Sequence, residues 1–316
     1  MTNKETVEFL RAHDNYLIIN HCRPDGDAVG SAVALCHGLR QNGKRAVIWK
    51  NPQTTKRYLP FLAGLETETV PEGVTLVSVD MATEGLLPLN GAQFKGKIVL
   101  SIDHHVSNEG YAEHTNVVPQ CAACGELLLE ILKELGPITH EIANALYLAI
   151  STDTGCMRYS NVTAETLYAV AELKALGADV YPINKVMFST KTIARLRLEA
   201  ALTNSVEFYA GGLVGLCTLT NRLLDELGAD ADDTDDISGY ARSIEGVEIA
   251  VMVQELREGG SKISLRTGED YNASEICKLL GGGGHKAAAG ATLSCGVEEA
   301  KAQVLRAIEQ SGVALS

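Results

Sequence analysis

Four places in this sequence set carboxylates and imidazoles at the end of an apolar run. Tyr16-Leu17-Ile18-Ile19 leads into His21-Cys22-Arg23-Pro24-Asp25-Gly26-Asp27, and Thr75-Leu76-Val77-Ser78-Val79 into Asp80. Lys97-Ile98-Val99-Leu100 leads into Asp103-His104-His105, and the apolar stretch from Glu141 to Ile150 into Thr152-Asp153-Thr154-Gly155. A polar residue after a strand is often only turn chemistry, and Asp27 alone reads well as a helix N-cap. Four such endings in one chain ask for more. If the strands are neighbours, the carboxylates of Asp25, Asp27, Asp80, Asp103 and Asp153 meet the imidazoles of His21, His104 and His105. So many like charges in one cleft cannot all ionise without cations. Two divalent ions would answer them. Mixed carboxylate and imidazole donors suit Mn²⁺, with Mg²⁺, Fe²⁺ or Co²⁺ as competitors, and the lack of a cysteine in the set argues against structural zinc. Two such ions about 3.5–4 Å apart form a clamp for phosphoester displacement.

The elements that must position these groups read as an α/β protein. A short amphipathic helix over 4–13 precedes the first strand, and a helical pattern from Ala28 closes at Asn42-Gly43. Strands at Ala46–Trp49, Thr75–Asp80 and Lys97–Leu100 follow. Strands alternating with helices predict a mostly parallel sheet with helices on both faces, and ligands then sit beyond the carboxyl ends of the strands. Helices are predicted over 123–135, 139–151 and 163–177, with the second buried on most sides. An acidic residue at the end of a buried helix, here Asp153, is costly unless paired or metal-bound. We expect a catalytic domain over residues 1–182, a helical connector over 183–204, and a smaller α/β domain with a mixed sheet over 205–316. The second domain contributes strands near 206–209, 213–219, 247–253 and 262–266.

Three features suit a phosphate. Gly281 to Gly284, followed by His285, let the backbone approach an anion closely, and the apolar runs on both sides argue against a flexible linker. Arg266 ends a strand and can form a bidentate fork. Arg158 follows Asp153 closely in sequence, although a surface ion pair would explain it as well.

The chain has 316 residues with a formal net charge of −13. That balance argues against a footprint on long duplex nucleic acid, which calls for a basic face, but leaves room for a small phosphorylated ligand. No window of about 18 uninterrupted apolar residues is present. The start, Met1-Thr2-Asn3-Lys4-Glu5, lacks a signal-peptide layout. Together with cysteines scattered through apolar runs, this sets the cytoplasm as the expected compartment.

As a set, His21-Cys-Arg-Pro-Asp25-Gly-Asp27, the lone Asp80, Asp103-His104-His105 and Thr152-Asp153-Thr154-Gly155 resemble the successive motifs of the DHH phosphoesterase superfamily. Gly281-Gly282-Gly283-Gly284-His285 resembles the GGGH signature of its DHH-associated C-terminal domain. The motifs run in order from residue 21 to residue 290, and the layout is similar to the nanoRNase/pAp-phosphatase branch. The resemblance implies one metal held by His21, Asp25 and Asp80, and another by Asp27, Asp80, His104 and Asp153, with Asp80 bridging. It implies that Asp103 orients neighbours and that His105 touches the scissile phosphate or assists the leaving oxygen. It tips Arg158, Arg266, Gly282, Gly283, Gly284 and His285 towards substrate, held across an interdomain cleft that limits it to something short. Expected substrates are short 5′-phosphorylated oligoribonucleotides and 3′-phosphoadenosine 5′-phosphate. Rivals are a linear or cyclic dinucleotide phosphodiesterase, a manganese pyrophosphatase and a non-catalytic nucleotide-binding module. A homodimer is implied by the resemblance alone.

Two other features are set aside. Cys121-Ala-Ala-Cys124 before a helix has the position of a redox pair, but reads more simply as small residues packing a helix start. The acidic run from Asp230 to Asp236 has no glycine or closing glutamate in EF-hand register and reads as a solvated loop.

Overall fold

The computed structural model describes residues 1–315. The chain divides into two compact units, the first ending at Thr190 and the second beginning at Lys191.

In the first unit six strands form one sheet: β1 Tyr16–Ile19, β2 Ala46–Trp49, β3 Glu66–Thr67, β4 Thr75–Val79, β5 Leu100–Asp103 and β6 His114–Val117. Their order is β3-β2-β1-β4-β5-β6, and every pair is parallel. The order reverses between β1 and β4, which makes the crevice beyond those two strand ends the natural ligand position. Alternation along the strands sorts the two faces. Tyr16, Ile18, Ile48, Val77, Val79, Leu100 and Ile102 join the large core under the helices. Leu17, Ile19, Trp49, Leu76 and Phe94 form a smaller core on the other face.

The helices of this unit are α1 Asn3–Ala12, α2 Gly26–Gln41, α3 Leu59–Leu62, α4 Cys124–Leu135, α5 His140–Asp153, α6 Ala164–Ala175 and α7 Val180–Asn184. Helices α2, α4 and α5 fill the large core. The second face is covered by single 3-10 turns at Glu84–Leu86 and Ala92–Phe94, a lighter cover than the helices expected there. Close approach of α2 and α5 depends on glycine. A Cβ on Gly30 would run into the backbone of Ala145 and Ala149, and one on Gly26 into Thr152.

The chain from 183 to 204 is not one continuous helix. After α7 comes a π-helical turn, Lys185–Ser189, then a break at Thr190. Thr192, with extended backbone, caps a new helix, α8 Ile193–Ser205, by accepting the Arg195 N–H. Leu198 and Leu202 are buried with Cys217 and Leu219, so α8 belongs to the core of the second unit.

That unit holds a second six-stranded sheet of β7 Glu207–Tyr209, β8 Val214–Leu219, β9 Ile249–Glu255, β10 Ser261–Thr267, β11 Gly283–Gly284 and β12 Ala288–Leu293. The order is β11-β12-β10-β9-β8-β7, with β8 and β9 parallel and the other pairs antiparallel. One face packs on α8, α9 Asn221–Leu227 and a 3-10 stretch at Ile237–Ser243. The other packs on α10 Ala273–Lys278 and α11 Val297–Gln310.

Candidate metal centre

Each strand and helix end at the crevice delivers its polar group by local geometry. Asp25, rather than Asp27, is the N-cap of α2: its Oδ1 accepts the N–H groups of Asp27 and Ala28, both at 3.0 Å. Asp27 sits inside the first turn, 1% exposed, and accepts from the Cys124 N–H (2.6 Å), the Gly125 N–H (3.0 Å) and the Ser31 hydroxyl (2.9 Å). It is therefore gripped by the start of α4 as well as by α2. Asp80 follows β4 with φ of +52°, in the left-handed region that costs a non-glycine residue conformational energy. Strand β5 starts three residues later than the apolar run at Lys97 suggested, because Lys97 still closes a turn onto Phe94. It ends on Asp103. The last residue of α5 is Asp153, at the negative end of the helix dipole.

The structure brings all eight residues together. His21 Nε2 lies 3.8 Å from Asp25 Oδ1 and 3.8 Å from Asp80 Oδ2. His104 Nε2 lies 3.5 Å from Asp80 Oδ1, 3.7 Å from Asp27 Oδ2 and 3.5 Å from Asp153 Oδ2. His105 Nδ1 is 3.5 Å from Asp80 Oδ1 and 2.7 Å from Asp103 Oδ1. Three groups of donors close enough to hold an ion result: His21 with Asp25 and Asp80; Asp27 with His104 and Asp153; Asp80 with His104 and His105.

Apart from the direct His105–Asp103 hydrogen bond, these separations of 3.5–3.8 Å suit a shared ion better than direct hydrogen bonds. Nitrogen and oxygen that each lie about 2.1 Å from one metal stand roughly 3–4 Å apart. The tautomers agree. His21 Nδ1 donates to the Cys22 carbonyl (2.8 Å) and His104 Nδ1 to the Cys121 carbonyl (3.1 Å), which leaves both Nε2 lone pairs facing the carboxylates. Asp80 is 2% exposed, and its Oδ1 has no hydrogen-bond partner. A buried carboxylate oxygen left unpaired is expensive, and a cation between the donor groups would satisfy it. The residues fit a metal.

The electrostatics point the same way. Burial, with the charges of Asp27, Asp25, Asp153 and Asp103, pushes the Asp80 carboxyl well above its ordinary range. Burial and the charges of Asp27 and Asp25 push Asp153 up to about 8. Asp103 behaves differently. Burial opposes its ionisation, but donors from His105 and Asn108 outweigh it and hold the carboxyl below the usual value. Its Oδ1 accepts from the His104 N–H (2.8 Å), the His105 N–H (3.2 Å) and His105 Nδ1, and its Oδ2 from Asn108 Nδ2 (2.7 Å). With its oxygens so occupied, Asp103 orients the two histidines and stands outside the three donor groups. The hydrogen bond to Asp103 in turn raises the His105 pKa against the effect of burial.

Sequence reasoning missed three side chains here. Asn161 Nδ2 donates to the carbonyls of Ala122 (3.0 Å) and Asp153 (3.1 Å), tying the loop beside His104 to the end of α5. Asn108 and Tyr111 both reach the Met81 carbonyl, at 3.4 and 2.7 Å. The spacing of Asn108 from His105, one turn on, was the available signal. Cys121 and Cys124 are both free thiols, and burial pushes Cys121 up to about 12 and Cys124 well above its ordinary value. Reactive thiols need the opposite shift. Cys124 serves the centre through its backbone N–H.

Arg158 is exposed; its Nε donates to the Gly155 carbonyl and its guanidinium lies 6.0 Å from the Phe188 ring centroid. In the second unit, Arg266 donates from Nη1 to the Leu265 carbonyl (3.0 Å). The glycine run is a hairpin arm rather than an open loop. Gly283 and Gly284 pair antiparallel with Gly290 and Ala289, and His285 exchanges backbone hydrogen bonds with Ala288 across the turn. Close strand approach explains two of the glycines: a Cβ on Gly282 or Gly284 would collide with β12 backbone, and φ at Gly284 is +147°. Gly283 has open space where its Cβ would be.

A reversed parallel sheet crowned by this Asp/His cluster, followed by a mixed-sheet unit, defines a class that comparison with known proteins makes specific. Residues 15–150 match the family model described as DHH family, N-terminal domain, and residues 215–311 the DHHA1 domain. The chain belongs to the DHH family, with a DHHA1 domain following the DHH domain. A Thermus thermophilus protein named bifunctional oligoribonuclease and PAP phosphatase NrnA is 34% identical over 310 residues, covering 96% of this chain and 92% of that protein. A Geobacillus thermodenitrificans protein named cyclic-di-AMP phosphodiesterase GdpP is 27% identical over 95% of this chain, but the match spans only 48% of that longer protein. Among solved structures, an exopolyphosphatase-related protein from Bacteroides fragilis superposes with a TM-score of 0.85 at 23% identity, covering 98% of this chain and 95% of that one, which shows the shared fold.

Proposed function

We propose that this protein hydrolyses phosphoesters of short nucleotides with two divalent ions, Mn²⁺ being the best match to the donors. Its substrates in this reading are short 5′-phosphorylated oligoribonucleotides, trimmed to mononucleotides, and 3′-phosphoadenosine 5′-phosphate, converted to AMP. The observation that carries the reading is Asp80, a buried carboxylate shared between two donor groups with one oxygen unpaired. Relatives named as bifunctional oligoribonucleases and PAP phosphatases over nearly the full chain support the substrate class.

His21, Asp25 and Asp80 would hold one ion, and Asp27, Asp80, His104 and Asp153 the other. Bound ions of this kind polarise a phosphoryl oxygen and lower the pKa of a bound water. The chain's own part is positioning and proton handling. Asp103 holds the proton on His105 Nδ1, which leaves Nε2 to face a phosphate or a leaving oxygen, and the raised pKa favours the donating form. Arg158 and Arg266 would bind phosphate, and the Gly282–His285 hairpin arm would lie against the nucleotide, with open space over Gly283. Eight free cysteines, four of them buried, fit a reducing compartment, and we place the protein in the cytoplasm. Among the described residues no helix is long and apolar enough to cross a membrane.

A second reading, a phosphodiesterase of linear or cyclic dinucleotides, is favoured only by the GdpP relative. The deciding assay offers a 5′-phosphorylated diribonucleotide, 3′-phosphoadenosine 5′-phosphate, cyclic di-AMP and pyrophosphate in parallel, with Mn²⁺ and then with EDTA. Mononucleotide and AMP release abolished by EDTA is the expected result. Turnover of cyclic di-AMP or pyrophosphate alone would move the assignment to that substrate, and turnover unaffected by EDTA would end the metal reading.

A further inference from the structure

Asp80 carries more than its carboxylate suggests. It is buried among four other carboxylates, holds φ of +52°, and is aimed between two donor groups. Its own N–H is secured by the Ile102 carbonyl (3.0 Å). Two peptides further on the chain is secured again, because the Met81 carbonyl accepts the Tyr111 hydroxyl at 2.7 Å. A phenol has one proton to give. With that proton on Met81, the Ser78 hydroxyl (2.8 Å) and the Ser101 hydroxyl (3.2 Å) must both donate to the Tyr111 oxygen. Ser78 lies on β4 and Ser101 on β5, both fully buried. One phenolic oxygen thus ties β4 and β5, two of the three strands that lead into the candidate metal-binding groups, to the segment just after Asp80.

We propose that Tyr111 is a positioning residue for the bridging carboxylate: its hydroxyl, through the Met81 carbonyl, holds the left-handed bend at Asp80 against the repulsion of the surrounding aspartates, so that the site is formed before metal arrives. The proposal rests on the metal reading of the site. Tyr111→Phe keeps the ring and its packing and removes only the oxygen. Calorimetric titration of the metal-free protein with Mn²⁺ should show affinity about tenfold weaker in this variant, the size typical of losing a group that orients a ligand. The Mn²⁺ concentration for half-maximal turnover should rise in parallel, with kcat at saturating Mn²⁺ changed less. Ser101→Ala removes one bond to the same phenol and spares the bond to Met81. It should lower the thermal midpoint of the metal-free protein while leaving Mn²⁺ affinity within about twofold. Tyr111→Phe that binds Mn²⁺ within twofold of wild type would overturn the brace alone. So would Ser101→Ala that weakens Mn²⁺ binding as much as Tyr111→Phe, since general loosening would then account for both. No Mn²⁺ uptake by the wild-type protein would overturn the metal reading and the brace with it.

Discussion

At the scale of single residues, the site sets stability against function. Asp80 is costly to a metal-free fold because its carboxylate is buried among like charges. Asp80→Asn should therefore abolish Mn²⁺-dependent turnover and yet raise the thermal midpoint measured in EDTA. A fall in that midpoint would show that Asp80 is held by attractions the geometry does not reveal. His105 makes a different case. It stands within reach of a donor group with Asp80 and His104, but its Nδ1 is already engaged by Asp103 at 2.7 Å. We expect His105→Gln to lower kcat by about 100-fold, within the range for loss of an acid–base group, and to leave Mn²⁺ affinity within about threefold. A large loss of Mn²⁺ affinity in calorimetry would make His105 a ligand instead.

At the scale of elements, α2 and α5 bring Asp27 and Asp153 to one place. They can do so only because Gly26 and Gly30 leave room for Thr152 and for the backbone of Ala145 and Ala149. Gly30→Ala should push the two helices apart, lowering stability by about 1–3 kcal/mol, as overpacking does, and weakening metal uptake at the same time. Chemical denaturation and Mn²⁺ titration of the same variant would test the two effects together. Much of this arrangement was legible in the sequence, because β-branched runs that end abruptly in Asp or His announce both a strand and its tip. Less legible were elements without an apolar signature. Strand β6 is His-Thr-Asn-Val, an edge strand with one buried side chain, Asn116. Strand β11 is two glycines, whose pairing is fixed by the closeness of β12 rather than by propensity. Tyr111 and Asn161 escaped notice because they act on the carbonyls of Met81 and Ala122, far along the chain, and no local spacing encodes such a contact. Asn108, five residues from the Asp103 carboxylate it donates to, left the one local signal.

At the scale of the whole molecule, the crowded carboxylates should leave a pH signature. With Asp80 raised and Asp153 near 8, the metal-free folded state keeps protons that the unfolded chain has already lost above about pH 4. The folded state thus binds more protons between about pH 4 and pH 8, and its stability falls as pH rises through that window. Urea midpoints in EDTA should decline from about pH 5 through about pH 8, and saturating Mn²⁺ should remove the decline. A flat EDTA profile would mean that the two carboxyls titrate normally. The two sheets have a further consequence for the protein in a crowded solution. Each ends in short strands, β3 with two residues and β6 with four in one, β11 with two and β7 with three in the other. Such stubs offer few unpaired backbone groups for a neighbouring chain to zip onto. Colloidal behaviour should accordingly be governed by side-chain surfaces and the net charge of −13, and any self-association should be salt-sensitive and free of the cross-strand growth that leads to fibres.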